Sequence, residues 1–523
     1  MSKAAKMAKV SAKGGFHLLW GLVASTVISS IGTIFVANLL GAANYGLYTI
    51  ALVAPGLISL FRDWGVSSAM IKYTAQYNAE DKAASIRSIF TAGILFETIL
   101  GITLSVVAFL ISGSLAKLYS LPNLTPLIQI ASFTILTGAL LSTAQSAFTG
   151  IEKMELNSVT YVCQAIVKTI VCPVLVIAGL GPLGAVIGTT TAILIAGLIG
   201  VLLMWTLYRS LPKPAHNKLE IIATIKTMLN YGLPLSITAI ISSIQVQFYS
   251  FILPIFVRPD LIGNYGIASS FVVLITFFST PITTVLFPAF SKLDPQKDRE
   301  TLKNVFQFSI KYASLFVVPV TFIVITLSQP GISVLFPKYT AAPLFLALLA
   351  INYLYTTFGS QSIASFLNGQ GQTRFYLKLA IIQAAVGFPL AVILISRFGV
   401  IGLIITTLAD GTPGLIVALL WIRKKYGVTV EWVSSVKILL SSATASAATY
   451  TIISIMPFGN WIKLIIGAII FTGILVIVTL LTKTISRSDV NNMRDMLTEL
   501  GPFQRLFNFL LNIIEKLMAA LQR

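Results

Sequence analysis

Charge is what this chain has least of. Only 10% of its 523 residues are Asp, Glu, Lys or Arg, and just 17 of them are acidic. Soluble domains carry about 25% charged residues, so the polar surface needed to cover a soluble fold of this size is missing. Two cysteines, Cys163 and Cys172, are too few for a disulfide scaffold. Nine helical residues would hold them about 13 Å apart along the axis, and two small core residues is the expected reading. With only two histidines, His17 and His216, each without a second ligand nearby, a metal centre is not expected. No Walker A loop occurs, which argues against ATP hydrolysis by this chain. The ~10-residue alternating segments of a spanning β-barrel are absent too.

What is present is apolar sequence in long runs: 56% hydrophobic residues and a mean hydropathy of +0.90. Runs near 20 residues suffice to cross a ~30 Å hydrocarbon layer as helices. Breaks at charges, Gly and Pro predict fourteen spans. These are 16–40, 46–70, 86–112, 124–148, 156–179, 183–208, 228–254, 262–288, 305–328, 341–366, 375–396, 399–421, 434–456 and 461–482. The basic start at Lys3, Lys6, Lys9 and Lys13 runs into a full-length span, so no cleavable signal peptide is expected. With the amino terminus inside, 29 of the 36 Lys and Arg fall at the cytoplasmic side, and Lys117, Arg258, Lys338, Arg397 and Lys463 fall outside. The net charge of +19 thus reads as this bias plus attraction to anionic membrane lipid, not as nucleic-acid binding. After the last span, Pro502 opens a stretch with Phe503, Leu506, Phe507, Leu510, Ile513 and Ile514 on one face, which predicts an amphipathic helix in the cytoplasmic interface. Docking to a partner is its alternative use.

Four short matches recur in chain order. They are ISSI at 28–31 and 241–244, NYGL/NYGI at 44–47 and 264–267, Gly181/Gly184 with Gly399/Gly402, and Gln164 with Gln383. Offsets of 213, 220, 218 and 219 point to two related six-span halves entering from the same side, a parallel repeat typical of transporters. The expected layout is a basic amino-terminal segment 1–15, an N-lobe 16–208, a linker 209–227 and a C-lobe 228–425. Two extra spans follow within 426–482, then a tail 483–523.

The strings LLGAANYGLYTIAL, FRDWGVSSAMIKYTA, FPAFSKLDPQKDRETL, SVLFPKYTAAPLFLALLA and FLNGQGQTRF, in order between about 16 and 425, resemble polysaccharide-export flippases. That family lies in the multidrug/oligosaccharidyl-lipid/polysaccharide (MOP) exporter superfamily. The resemblance implies an all-α membrane fold with two six-helix lobes in a MATE-like V around a central cavity, and passage of polyprenyl-linked saccharides. Fourteen spans resemble the polysaccharide and lipid II branches, in which spans thirteen and fourteen would offer a groove for the lipid tail.

Charges at bilayer depth cost about 2.5–3.5 kcal/mol on insertion scales and call for a reason. Arg62 and Asp63 fall in span two, Glu97 in span three, Lys168 in span five and Asp410 in span twelve. Lys311 and Lys378 lie near span starts, where they could snorkel. Gln164 and Lys168, four apart, share one helical face. Lys168 is expected either to pair with Glu97 or, with Arg62, to meet a lipid pyrophosphate, a task suited to the guanidinium fork. Gln164, Gln383 and Lys311 join Arg62 and Lys168 as cavity residues. Asp63 is expected to make a helix-to-helix contact. Asp410 opens the string DGTPG, where Pro413 frees a carbonyl; a cation or proton site, a flexing point and a bonded kink all fit. Loops too short to fold make an enzyme improbable, and no cofactor is implied. The leading expectation is a flippase of lipid-linked oligosaccharide working with glycan-assembly proteins. Cation-coupled drug efflux and a non-transporting envelope scaffold are its competitors.

Overall fold

A computed structural model describes residues 3–211, 221–277 and 290–484, with isolated positions 279, 286, 489, 490, 494, 512 and 515; side chains before Leu18 and at 235, 237–239, 241 and 242 are not described. Among the described residues all regular structure is helical. The helices are α1 (Lys3–Ser59), α2 (Val66–Ala79), α3 (Ala83–Leu118), α4 (Thr125–Gly150), α5 (Met154–Leu175), α6 (Gly181–Ser210) and α7 (Ile221–Phe256). They continue as α8 (Pro259–Phe271), α9 (Arg299–Leu335), α10 (Ala342–Ala350), α11 (Ser360–Gly369), α12 (Thr373–Tyr426), α13 (Trp432–Ile455) and α14 (Asn460–Leu481). Nine of the described helices, or ten counting one bent pair, are long and apolar enough to cross a membrane. Helices satisfy their own backbone groups, which is what lipid demands. The protein is therefore a multi-pass membrane protein.

Three of those helices double back. Gly41 inside α1 has φ 72°, and residues on both sides of it, Ser29 to Val36 and Tyr45 to Tyr48, line one small hollow. On a straight helix Ser29 and Tyr48 would stand about 28 Å apart. Gly179 and Gly181 turn α5 into α6, so that Cys172 touches Gly188. Gly399 (φ 58°) turns α12, and Gln383 reaches Asp410 across 27 residues. Only glycine adopts such backbone without steric cost.

One expected span is discontinuous. Instead of a helix through 46–70, α1 stops at Ser59 and residues 60–65 form a turn closed by Trp64 (φ 48°) and Gly65 (φ 79°). The Asp63 carboxylate accepts from the Ser67 amide at 2.8 Å and so caps α2. Gly65 also meets the backbone of Gly232 so closely that neither position has room for a Cβ. The stretch expected as 341–366 is broken as well: a 3₁₀ run, Ile351–Phe358, ends at Gly359 (φ 88°), and the two parts bend by 50°.

The chain packs as two compact units, 1–266 with 388–403, and 267–387 with 404–523. In the first unit, small residues let helices approach closely, a packing mode typical of membranes. Gly21 lies against Ser158, and Gly32 against Thr169, whose hydroxyl donates to the Ile28 carbonyl at 2.9 Å. In the second unit α13 and α14 pack on α9, with Thr326 and Ser446 hydroxyls 2.6 Å apart. One end is closed by Phe290, Phe306, Phe366 and Tyr426 in edge-to-face contact. There Arg299 donates to the Tyr426 carbonyl at 3.2 Å, satisfying the end of α12. Residues 212–220 of the linker and the expected amphipathic helix after Pro502 lie outside the described residues, apart from Asn512 and Glu515, which both bond Arg494.

Candidate functional site

The intramembrane charges fall into separate clusters. The first forms where the 60–65 turn meets α3 and α4. Arg62 Nε stands 3.2 Å from Glu97 Oε2, with the glutamate side chain 1% exposed and the arginine 14%. Gly138 on α4 leaves room for the guanidinium, whose Nη1 lies about where a Cβ would crowd it. Asp63 sits beside the same carboxylate. The contact is one of charge: Arg62 Nε and both Glu97 oxygens are buried without hydrogen-bond partners among the described residues. Glu97 therefore pairs with Arg62 and not, as the sequence suggested, with Lys168. The turn carries Arg62 to α3, while α5 directs Lys168 to another place.

Lys168 lies on α5 one turn beyond the half-buried Gln164. It lines a cavity of about 20 Å³ with Ser29, Thr33, Tyr45, Tyr48 and Cys172, room for about one water. Its ammonium lies by the Tyr48 hydroxyl. Tyr48 lies 2.9 Å from Thr189 Oγ1, and the Thr189 hydroxyl donates to the Ala185 carbonyl at 2.9 Å. Because the Thr189 proton goes to Ala185, the Tyr48 hydroxyl donates to Thr189. Among the described residues no carboxylate pairs with Lys168.

Two expected residues meet in the second unit. Gln383 Nε2 donates to Asp410 Oδ1 at 3.3 Å, and Asp410 is 2% exposed. Both open onto a cavity of about 320 Å³ between the broken stretch at 352–361 and α12, whose DGTPG string is unbroken helix and not the kink the sequence allowed. Tyr355 holds that edge, donating to the Leu408 carbonyl at 3.1 Å and lying 3.2 Å from Thr412 Oγ1. Next to it, sharing Tyr355 and Thr412, is an apolar hollow of about 730 Å³ lined by Ile405, Leu408, Pro413 and Ile416.

Lys311 lines none of these spaces. Its ammonium bonds Asp489 Oδ2 at 2.8 Å, and Tyr312 donates to the other oxygen at 3.3 Å. Asp489 follows α14 by a few residues and lies 178 residues from Lys311, beyond any local sequence signal. Sequence reasoning also passed over Asn352, Tyr355 and Gln361. Their signal was the pairing of Gly359 with polar side chains inside an apolar run. Among the described residues no group of three metal-binding side chains occurs.

Comparison with known proteins agrees with this architecture. The chain is 24% identical to the "Probable flippase AglR" of Haloferax volcanii over 484 residues, covering 88% of this chain and 93% of that one. Its fold matches the solved lipid II flippase MurJ in an inward closed conformation, with a TM-score of 0.70, 15% identity, and coverage of 89% and 98%. An inward-facing multidrug resistance MATE family transporter of the MOP superfamily aligns with a TM-score of 0.62, 15% identity, and coverage of 77% and 94%. Residues 35–342 match the family model described as polysaccharide biosynthesis protein, so by more than half its length the chain belongs to the polysaccharide biosynthesis protein family, on the fold of the MOP superfamily.

Proposed function

We propose that this protein is a flippase that carries a saccharide linked through a phosphate or pyrophosphate to a polyprenyl lipid. It moves the head group from the cytoplasmic to the outer leaflet of the cell membrane by alternating access. The observation that carries this reading is Arg62: a guanidinium at bilayer depth, set on a turn instead of a helix and held by charge alone. Its fork suits phosphate oxygens, and releasing it from Glu97 breaks no hydrogen bond. Membership in a polysaccharide biosynthesis family and similarity to proteins named as flippases support the same reading.

Alternating access supplies the layout. Counting the doubled helices as hairpins, the bent pair as one span, and α7 as another gives fourteen spans, arranged as lobes 16–208 and 228–425 with α13 and α14 added. Both termini then face the cytoplasm. The chain catalyses no covalent step, and glycan-assembly proteins would supply its cargo. Cation-coupled drug efflux is the competing reading, favoured by the acidic cavity around Asp410 and the MATE-like fold. Vesicles reconstituted with the protein separate the two. A flippase moves labelled polyprenyl-pyrophosphate saccharide, loses at least 90% of that rate in Arg62→Ala, and regains part of it in Arg62→Lys. Transport that is unchanged in Arg62→Ala refutes the assignment.

A further inference from the structure

Lys168 is left over from the charge pairing of the first unit. Arg62 engages Glu97, and Asp63 caps α2 through the Ser67 amide. Among the described residues no carboxylate pairs with the Lys168 ammonium, midway along α5. A charge at bilayer depth without a partner is costly, so its surroundings decide what offsets it.

The hollow beside it is built from Ser29 and Thr33 before the Gly41 turn, Tyr48 after it, and Lys168 and Cys172 on α5. Most of its polar groups are already bonded. Tyr48 donates to Thr189, which leaves the phenol oxygen to accept from the ammonium. The Cys172 thiol donates to the Ala185 carbonyl at 3.5 Å, and the Thr33 hydroxyl to the Ser29 carbonyl at 2.9 Å. The Ser29 hydroxyl differs. Its neighbours Ser25, Thr26 and Ser30 donate to backbone carbonyls three or four residues back, at 2.7–2.9 Å, the usual outlet for a hydroxyl inside a helix. Among the described residues no hydrogen bond holds that of Ser29. An ammonium has three protons, and Tyr48 takes one. The others and the Ser29 proton remain as donors, beside a space whose lining includes no acidic group.

That space measures about 20 Å³, and one water-sized body needs ~10–15 Å³. A water would accept these protons and leave the charge uncompensated. A phosphate, with four oxygens around its phosphorus, is too large. A monatomic anion satisfies both the size and the charge, and its attraction to an ammonium is strong where water does not screen it. We propose that this hollow binds one halide ion, chloride in the cell, through the Lys168 ammonium and the Ser29 hydroxyl. The ion offsets the lysine charge within the first unit. It is separate from Arg62, and the inference does not depend on the flippase reading.

Bromide is the probe, because it scatters X-rays anomalously. Crystals of the full-length protein grown from sodium bromide should show an anomalous peak in contact with Lys168 Nζ and Ser29 Oγ. In detergent, replacing gluconate by bromide at equal ionic strength should raise the parent's unfolding midpoint by several degrees. Lys168→Met should remove that shift. Ser29→Ala should weaken bromide about tenfold, as expected for one lost hydrogen bond to a charged group. Should Lys168→Met fail to fold, Ser29→Ala and the peak decide. Equal midpoints in the two salts, a bromide shift that persists in folded Lys168→Met, or no peak at the hollow overturns the inference. So does displacement of the bromide by inorganic pyrophosphate, which would give the lysine to a phosphorylated ligand instead.

Discussion

Replacing Arg62 by methionine keeps a long, flexible, apolar side chain in the 60–65 turn and removes its charge. Glu97, 1% exposed, then loses its counter-charge, and Asp63 is a second acidic group beside it. At 3.2 Å the lost attraction is about 5 kcal/mol gross for an effective dielectric near 20. Desolvation of the arginine is recovered at the same time, so the net cost is smaller. Removing one partner of a buried pair typically costs ~3–5 kcal/mol. Because Arg62 keeps 14% of its side chain exposed, water reaches the vacated space and about 3 kcal/mol is expected. The mirror change, Glu97→Leu, leaves an arginine that can turn toward water and costs about half as much, near ~1.5 kcal/mol. With both changes made, neither charge is stranded, and stability should return to within ~1 kcal/mol of the parent.

Denaturant titration of the purified protein in mixed micelles measures all four corners of this cycle, and transport in vesicles is read on the same preparations. The double variant decides between the two roles open to Arg62. A phosphate-binding arginine leaves the double variant stable and inactive. A purely structural arginine gives back transport together with stability. A loss below ~0.5 kcal/mol in Arg62→Met alone would place the pair at the protein surface and refute the buried-charge reasoning.

Two further changes test the packing. Gly65→Ala introduces a Cβ at φ 79° against the Gly232 backbone and should cost about 2–4 kcal/mol, combining the left-handed penalty with overpacking; an unfolding free energy equal to the parent's would exclude that contact. Lys311→Met takes the ammonium from Asp489, whose side chain is 4% exposed and which keeps the Tyr312 hydroxyl, so a loss of ~3 kcal/mol that Asp489→Leu reverses is expected from the same titration. Additive effects of those two changes would show that they do not meet.

Where the sequence could be read, glycine and charge did the work. Runs ending at 40, 179 and 396 stop within a few residues of Gly41, Gly179 and Gly399, because a left-handed residue must interrupt the helix whatever its neighbours are. Depth was legible too. Arg62, Glu97, Lys168 and Asp410 all stood out as costly in lipid, and all four proved to lie against polar or charged side chains. Azimuth was not legible. Hydropathy says how far along a helix Glu97 lies but not which neighbour it faces, so Lys168 looked a good partner and Arg62 was passed over. The break at 60–65 was invisible for another reason: averaging over ~19 residues absorbs a six-residue turn flanked by apolar sequence. The link from Lys311 to Asp489 crosses 178 residues and depends wholly on tertiary packing.

The discontinuities and the polar clusters explain each other. A helix crossing lipid loses several kcal/mol for each backbone group left unsatisfied, so a break inside a span survives only where protein or water supplies partners. Gly41, Gly179 and Gly399 lie where the chain reverses and meet that demand at hairpin turns. The other two breaks, at 60–65 and at Ile351–Gly359, are different, because the chain continues beyond them in further helix. The first holds the Arg62–Glu97 pair, and the second borders the cavity of Asp410 and Gln383. Had these breaks been needed only for packing, apolar contacts would have closed over them, as they do around Phe290 and Phe366. Instead one leaves a guanidinium bound by charge alone and the other leaves a space of about 320 Å³ walled by amides and hydroxyls. One break thus holds an ion pair and the other borders a carboxylate set among amides and hydroxyls, groups that packing alone does not call for.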